Sequence, residues 1–169
     1  MKSHIPLKIK SKEVATMIYT HDNICLKIEI KDEVIVGIDF CSEGDCVASP
    51  IGTSLESDIH LQFGEYFEGR REDFALPYLL QGTHFQLSVW QALEEIPYAQ
   101  TVSYSSIAQQ IGNPKAVRAV GGAVGSNPLP LIIPCHRVIG KNGAIVGFRG
   151  GTDIKQALLN LEQKGQAHS

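Results

Sequence analysis

We expect the rest of the chain to be organised around the segment Leu129-Pro-Leu-Ile-Ile-Pro-Cys-His-Arg-Val-Ile-Gly140. An apolar run leads into Pro134, Cys135, His136 and Arg137 and then becomes apolar again. Because a proline fixes its own φ and restricts the residue before it, Cys135 should follow a rigid, non-helical segment. A thiol beside an imidazole and a guanidinium is in a setting that favours the thiolate, which is the nucleophilic form.

The same segment leaves two interpretations open. On an extended strand Cys135 and His136 would point to opposite faces, so a bend at Cys135 or an intervening water is needed to connect the thiol with the imidazole. On these residues alone, a buried cysteine at the end of a core strand is the structural alternative.

The overall composition is that of an ordinary globular protein, with 43% apolar and 20% charged residues in 169. The net charge of −3 hides a split, because residues 96–151 contain five Lys or Arg and no Asp or Glu. A stretch without carboxylates is typical of a surface that meets phosphate. An apolar, glycine-rich domain with few charges of any kind would show the same pattern.

The cysteines and the ends of the chain indicate a cytoplasmic or, in a eukaryote, nuclear protein. No signal-peptide core and no membrane-spanning stretch is present, and four cysteines are too sparse for a disulfide framework. Cys41 and Cys46, with Cys25 and either His21 or His60, offer a set of possible metal ligands. Their spacing is not that of a zinc knuckle, so we expect no metal and no other cofactor.

The first half of the chain predicts a small antiparallel sheet followed by a helix. Short β-branched runs at Val14–Tyr19, Ile24–Ile30 and Val34–Phe40 read as strands. Ser54–Phe67 has an apolar stripe at helical spacing. We therefore predict a supporting α+β domain over residues 1–80, joined through residues 77–82 to a second domain over residues 83–169.

The second half predicts short helices with clear boundaries. Thr83 should cap a helix that ends before Pro97 and in which Trp90 is a core anchor. Ser103 should cap a helix over Tyr104–Ile111, closed by Gly112 at the C′ position.

Asn113 and Pro114 then predict a cap and a first turn for a helix over Lys115–Val124, which completes a helix-turn-helix in a mostly helical, winged-helix-like domain. Arg118 is the one long side chain at the centre of that second helix. Its small neighbours suit either a close approach by another surface or tight packing on a neighbouring helix; they are Ala119, Gly121, Gly122 and Ala123.

Several of these segments together resemble the 6-O-alkylguanine-DNA alkyltransferases. They are Ser103-Tyr104, the run from Asn113 to Ala123, Asn127-Pro128 and Ile133-Pro-Cys-His-Arg-Val138. The resemblance extends from about Gly82 to Glu162, with the order and spacing of the motifs intact.

The resemblance implies a suicidal, direct-reversal DNA repair enzyme. Cys135 would take the alkyl group from the 6-oxygen of guanine, with the 4-oxygen of thymine as a further candidate, and would not be regenerated. His136, with a water, would be the base and Glu162 the carboxylate that orients it. Tyr104 would help to turn the nucleotide out and would give a hydrogen bond or a proton to guanine N3. Asn127 would brace the turn before the active-site strand.

It also implies a partner, double-stranded DNA that carries an alkylated guanine, bound by a monomer. The small residues of the second helix predict that it enters the minor groove. Arg118 would fill the place of the flipped nucleotide. The remaining DNA contacts would come from Lys115, Ala119, Gly121 and Gly122. The substrate pocket would be formed by Val138, Arg149 and Arg137.

Two other classes of protein fit part of this pattern. A cysteine hydrolase would use Cys135, His136 and Glu162, but it would need an oxyanion hole and no helix-turn-helix. A non-catalytic binder of alkylated DNA would keep Arg118 and Tyr104 but gain nothing from a reactive thiol. A related binding-only group carries another residue at the position of the cysteine.

Overall fold

The computed structural model describes Lys10 and residues 12–42, 44–45, 47–49 and 52–168. In chain order its elements are β1 (Ala15–His21), β2 (Ile24–Lys31), β3 (Val34–Phe40), α1 (Ser54–Phe67), α2 (His84–Glu94), β4 (Val102–Ser103), α3 (Tyr104–Gln110), α4 (Val117–Gly125), β5 (Val138–Ile139) and α5 (Thr152–Gln166).

The three long strands form an antiparallel meander in the order β1-β2-β3. Met17 pairs with Ile28, and Ile28 pairs in turn with Ile38, so apolar residues line one face of the sheet. The predicted strands are confirmed, although β1 begins at Ala15 and continues to His21, because its pairing with β2 extends to Ile24.

Helix α1 covers the apolar face of the sheet and has the predicted bounds. Its buried stripe includes Ile59, Phe63 and Tyr66, which recur at helical spacing. The carboxylate of Glu56 accepts the backbone amide of Gly52 at 2.7 Å, which satisfies a free donor before the first turn.

Helix α2 is anchored by Trp90, as predicted. Thr83 and Gln86 form a reciprocal capping box, with distances of 3.1 and 3.0 Å. The Trp90 ring is 2% exposed, and its Nε1 donates to the carbonyl of Ala123 at 2.8 Å. A side chain at Gly82 would come within 2.6 Å of this ring, so the ring packs closely against the residues before α2 as well as against α4.

Helices α3 and α4 form the predicted helix-turn-helix, with one difference. The Ser103 hydroxyl caps α3 by accepting the amide of Ser106 at 3.1 Å, and Gly112 ends it with φ of +76°. The prediction that Asn113 caps a helix starting at Lys115 was wrong. Asn113–Ala116 form a turn closed by the Ala116 amide on the Asn113 carbonyl at 3.0 Å, with proline in its second position, so α4 begins at Val117.

The two halves of the chain meet through backbone bonds and a shared core. The amide of Ile38 in β3 donates to the carbonyl of Pro128 at 2.8 Å, which joins the sheet to the loop before Cys135. One buried apolar cluster contains residues from both halves. The α+β fold class is confirmed, and in the part of the chain that the structure describes no helix has the length and apolar character to cross a membrane.

Candidate active site and nucleic-acid interface

Cys135 begins a single 3₁₀ turn, Cys135–Arg137, so the chain bends at Cys135, which was one of the two arrangements that the sequence left open. The amide of Cys135 donates to the carbonyl of Ile133 at 2.7 Å and that of Arg137 to the carbonyl of Pro134 at 3.1 Å. These two bonds tighten the chain before β5 begins at Val138. The turn sends the side chains of Cys135 and His136 to different partners.

The thiol of Cys135 lies at the wall of a small cavity between the two halves of the chain. Cys135 is 6% exposed. The cavity is also lined by Phe40, Val124, Gly125, Asn127, Pro130, Gly147, Phe148 and Arg149. Since Phe40 ends β3 and the other residues belong to the second half, the amino-terminal sheet completes the pocket in front of the sulfur.

The prediction that the surroundings of Cys135 favour the thiolate was wrong. Burial raises the pKa of the Cys135 thiol, and a hydrogen bond from Asn127 with the charges of Lys155 and Arg149 opposes this only in part. The physical reason is that the neighbouring imidazole and Arg137 guanidinium face Glu162 instead of the sulfur. The side chain of Cys135 is therefore a thiol at neutral pH.

Asn127 braces the loop that leads to Cys135. Its Nδ2 donates to the carbonyl of Ile133 at 2.8 Å, and its Oδ1 accepts the amide of Leu129 at 3.0 Å. With 2% exposure, the amide group is held on both sides. Asn127 thus links the end of α4 to the residues immediately before the thiol.

His136 and Glu162 form a fully buried pair, with 2.7 Å between Nε2 and Oε1. Burial lowers the pKa of His136 even though the hydrogen bond to Glu162 opposes this, so the imidazole is neutral near pH 7. An ionised carboxylate can only accept, which assigns the proton to Nε2 and leaves the lone pair on Nδ1. Nδ1 is buried and makes no hydrogen bond to any described residue.

Glu162 is surrounded by donors. Burial by itself would raise the pKa of Glu162, but the hydrogen bonds and charges of His136 and Arg137 outweigh it and lower the pKa to about 2. The amide of Ala99 adds a further donor at 3.2 Å from Oε2. Glu162 is thus a fixed anion at the base of the site.

Arg137 does not line the cavity beside Cys135, where its place in the sequence predicted it. Its side chain is buried and turned toward α5, where Nε and Nη2 lie 3.0 and 2.9 Å from the two oxygens of Glu162. Nη1 donates to the carbonyl of Ile96 at 2.7 Å. All three nitrogens are therefore used within the core.

Tyr104 begins α3 and stands half-buried on the other side of the site. Its hydroxyl donates weakly to the carbonyl of Val146 at 3.4 Å, and Lys155 Nζ donates to the same carbonyl at 2.9 Å. Burial, and then the proximity of Cys135, raises the pKa of Tyr104, so the hydroxyl remains a donor at neutral pH.

Arg149 and Val138, both predicted to belong to the pocket, have different positions. Arg149 lines the cavity, donates to the carbonyl of Asn127 and pairs with Asp39 at 3.2 Å. Val138 is fully buried and pairs with Val102 between β5 and β4. Arg149 therefore joins the sheet to the active-site loop, whereas the role of the Val138 backbone stays a prediction.

The outer face of α4 is small, exposed and basic. Arg118 and Lys115 are exposed and make no ion pair with any residue that the structure describes. A side chain at Gly122 would meet nothing within 4 Å, and one at Gly121 would only reach the Tyr104 ring at 4.0 Å. Ala119 is exposed as well. Packing inside the protein therefore does not explain why glycine occupies these two positions.

Two residues of the site were not found from the sequence. Lys155 lies two helical turns before Glu162 on the buried face of α5, and that spacing of charged residues among leucines was a usable signal. Tyr66 reaches Glu162 from α1, which no local pattern indicates. The metal alternative built on Cys41 and Cys46 is not tested, because Cys46 lies outside the described residues; these include no cluster of three potential ligands.

The fold and the site together define a class of protein in which a buried thiol and a histidine–carboxylate pair lie beside a helix-turn-helix. Residues 84–164 match the family model described as 6-O-methylguanine DNA methyltransferase, DNA binding domain. The structure is similar to that of Mycobacterium tuberculosis OGT in complex with DNA, with 39% identity, a TM-score of 0.79 and coverage of 88% of this chain and 92% of that one. The chain belongs to the 6-O-methylguanine-DNA methyltransferase family, which confirms the resemblance found in the sequence.

Two curated relatives come from Bacillus subtilis. The inducible methylated-DNA–protein-cysteine methyltransferase is 53% identical over 107 residues, and the constitutive one is 56% identical over 103 residues. These matches cover 63% and 60% of this chain. The chain spans 60% and 62% of the length of these two relatives.

Proposed function

We propose that the protein repairs alkylated DNA by moving the alkyl group from the 6-oxygen of guanine to Cys135 in one irreversible turnover. The observation that carries this proposal is the buried Cys135 thiol, placed in a cavity behind a helix-turn-helix and beside a neutral histidine oriented by a carboxylate. The names of the B. subtilis relatives support it, as does the DNA in the M. tuberculosis structure.

The reaction is a single displacement at the alkyl carbon. The thiol proton passes through a water to Nδ1 of His136, and the sulfur bonds to the alkyl carbon as that carbon leaves the guanine oxygen. The electron pair stays on the guanine, which takes a proton from the Tyr104 hydroxyl, and solvent returns a proton from His136 to Tyr104. The thioether product has no simple hydrolytic exit, so Cys135 is consumed.

The DNA is bound through the outer face of α4, in the minor groove. The open space around Gly122 and the exposure of Ala119 let a duplex approach the helix closely, and Arg118 can enter the stack where the nucleotide has been turned out. Lys115, in the turn before the helix, supplies a phosphate contact. A monomer in the cytoplasm, or in the nucleus of a eukaryote, is part of this proposal.

Analysis of the DNA after reaction tests the proposal. A duplex with one 6-O-methylguanine is mixed with protein, digested to nucleosides and separated by chromatography. We expect one methylguanine to become guanine per protein molecule, and none with Cys135→Ser. A hydrolase would convert many lesions per molecule and a binding-only protein would convert none, so either result overturns the proposal.

A further inference from the structure

Tyr66 brings the amino-terminal half into the centre of the site. It is 1% exposed on the buried face of α1, and its hydroxyl donates to Oε1 of Glu162 at 2.7 Å. The same hydroxyl lies 3.5 Å from Nε2 of His136. The sequence indicated no catalytic residue in this half, which was predicted to be a supporting domain.

The hydroxyl of Tyr66 competes with the imidazole for one carboxylate oxygen. Oε1 of Glu162 accepts from Tyr66 at 2.7 Å, from His136 at 2.7 Å and from Arg137 at 2.9 Å. Burial, and then the charge of Glu162, raises the pKa of Tyr66 well above its ordinary value, so this phenol is a donor throughout the working pH range. Each donor to Oε1 weakens the pull of that oxygen on the others.

We propose that Tyr66 is a positioning residue for alkyl transfer, which holds Glu162 and limits the basicity of His136 through it; this inference rests on the function proposed above. With Tyr66 as a fixed donor, Glu162 keeps Nε2–H of His136 in place and leaves Nδ1 free to receive a proton. Without the phenol, the carboxylate would attract the imidazole proton more strongly and stabilise the imidazolium.

Other charged and titratable groups face this pair, and all of them remain when the Tyr66 hydroxyl is removed. Arg137 and Lys155 act on His136 with their positive charges, and Tyr98 lies close enough to Glu162 to be influenced by it. Cys135 precedes His136 in the turn. Tyr66→Phe therefore removes one hydrogen bond from the network and keeps the ring, its packing and every charge.

Tyr98 supplies a matched control. Its ring lies 6.4 Å from that of Tyr66 and it packs against Arg137 at 5.7 Å. The Tyr98 hydroxyl is buried but makes no hydrogen bond to any described residue. Tyr98→Phe thus makes the same chemical change in the same part of the core without touching Glu162.

The experiment is the single-turnover rate of transfer as a function of pH for the wild type and both variants, with a methylated duplex. Neutral His136 is the base, so the rate falls on the acid side of its pKa. We expect Tyr66→Phe to shift this acid limb, the part of the pH–rate curve where the rate falls, to higher pH by about one unit. At a given pH below the limb, the rate of the variant should therefore be about tenfold lower than that of the wild type. Tyr98→Phe should keep the wild-type limb.

The outcomes separate this inference from the proposed function. If the wild type transfers no alkyl group, the proposed function is overturned. If the wild type transfers the alkyl group and the acid limbs of Tyr66→Phe and Tyr98→Phe lie at the same pH, the proposed role of Tyr66 is overturned. Should Tyr66→Phe not fold, nitrogen NMR of His136 in the wild type decides instead: we expect the proton on Nε2 near neutral pH, and a proton on Nδ1 contradicts the inference.

Discussion

Arg137 and Glu162 form a buried, forked ion pair, with Nε 3.0 Å from Oε2 and Nη2 2.9 Å from Oε1. The pair ties the turn that carries Cys135 to helix α5. It also neutralises Arg137, which is why this cation does little to stabilise a thiolate at the preceding cysteine. Because both groups lose hydration in the core, removing one partner would leave the other as an uncompensated buried charge.

Stability in acid should depend on Glu162. A carboxyl whose folded pKa is about 2, below its ordinary value of 4.5, contributes stability above pH 4.5 that is lost as the pH falls toward 2. The difference amounts to on the order of 3 kcal/mol. In urea unfolding, Glu162→Gln should be less stable than the wild type at pH 7, and the gap should close in acid.

The control for this prediction is Asp58→Asn, which removes an exposed carboxylate from α1. That variant should follow the wild-type stability curve at every pH. A gap between the wild type and Glu162→Gln that stays constant from pH 7 to pH 3 would contradict the assignment of a lowered pKa to Glu162.

Free Cys135 should react slowly with a general thiol reagent at neutral pH. Because burial raises its pKa above the ordinary 9.0, the thiolate fraction should still be rising at pH 9. The rate of Cys135 labelling by iodoacetamide is measured as a function of pH by peptide mass spectrometry. The same rate in the urea-unfolded chain is the reference. A labelling rate that levels off below neutral pH would show a resting thiolate instead.

Replacing Arg118 should affect reaction with DNA far more than reaction with a free base. Arg118→Ala should slow repair of a methylated duplex, because the extruded nucleotide loses the side chain that takes its place, whereas free benzylated guanine needs no flipping. Single-turnover rates with both substrates give the comparison. Lys141→Ala removes another exposed cation outside α4 and is the control. Equal losses on both substrates would mean that Arg118 does not enter the stack.

Binding to undamaged DNA should depend weakly on salt and on sequence. Lys115 and Arg118 are the exposed cations on or next to α4, and Arg149 is already paired with Asp39. At roughly 0.9 per phosphate, the neutralisation of about two to four phosphates by these and neighbouring cations gives a slope of log affinity against log salt of about 2–4. Titrations of several unrelated duplexes across a salt series measure it. A steep slope or one preferred sequence would favour a sequence-specific regulator.

Local patterns predicted much of the fold. The bounds of α1, the cap at Ser103 and the end of α3 at Gly112 depend on neighbouring residues, so the sequence shows them directly. Trp90 was recognisable as core from its spacing, although its partner Ala123 was not.

The site was predicted less completely, because the contacts that were missed join segments far apart in the sequence. Cys135 and Arg137 are two residues apart in sequence, yet one faces the cavity and the other faces Glu162. The 3₁₀ turn that separates them depends on the surrounding core. Tyr66 comes from the opposite half of the chain, 96 residues from the carboxylate that it contacts. No periodicity or motif in α1 carries that information.

Mass spectrometry of the intact protein after mixing with a duplex that contains 6-O-methylguanine tests alkyl transfer to Cys135 most directly. We expect one added methylene per molecule, mapped to the peptide that contains Cys135, and no further gain in mass with excess DNA. Cys135→Ser should bind the duplex and stay at its original mass. An unchanged wild-type mass while the lesion disappears, or an adduct on another residue, would contradict the account.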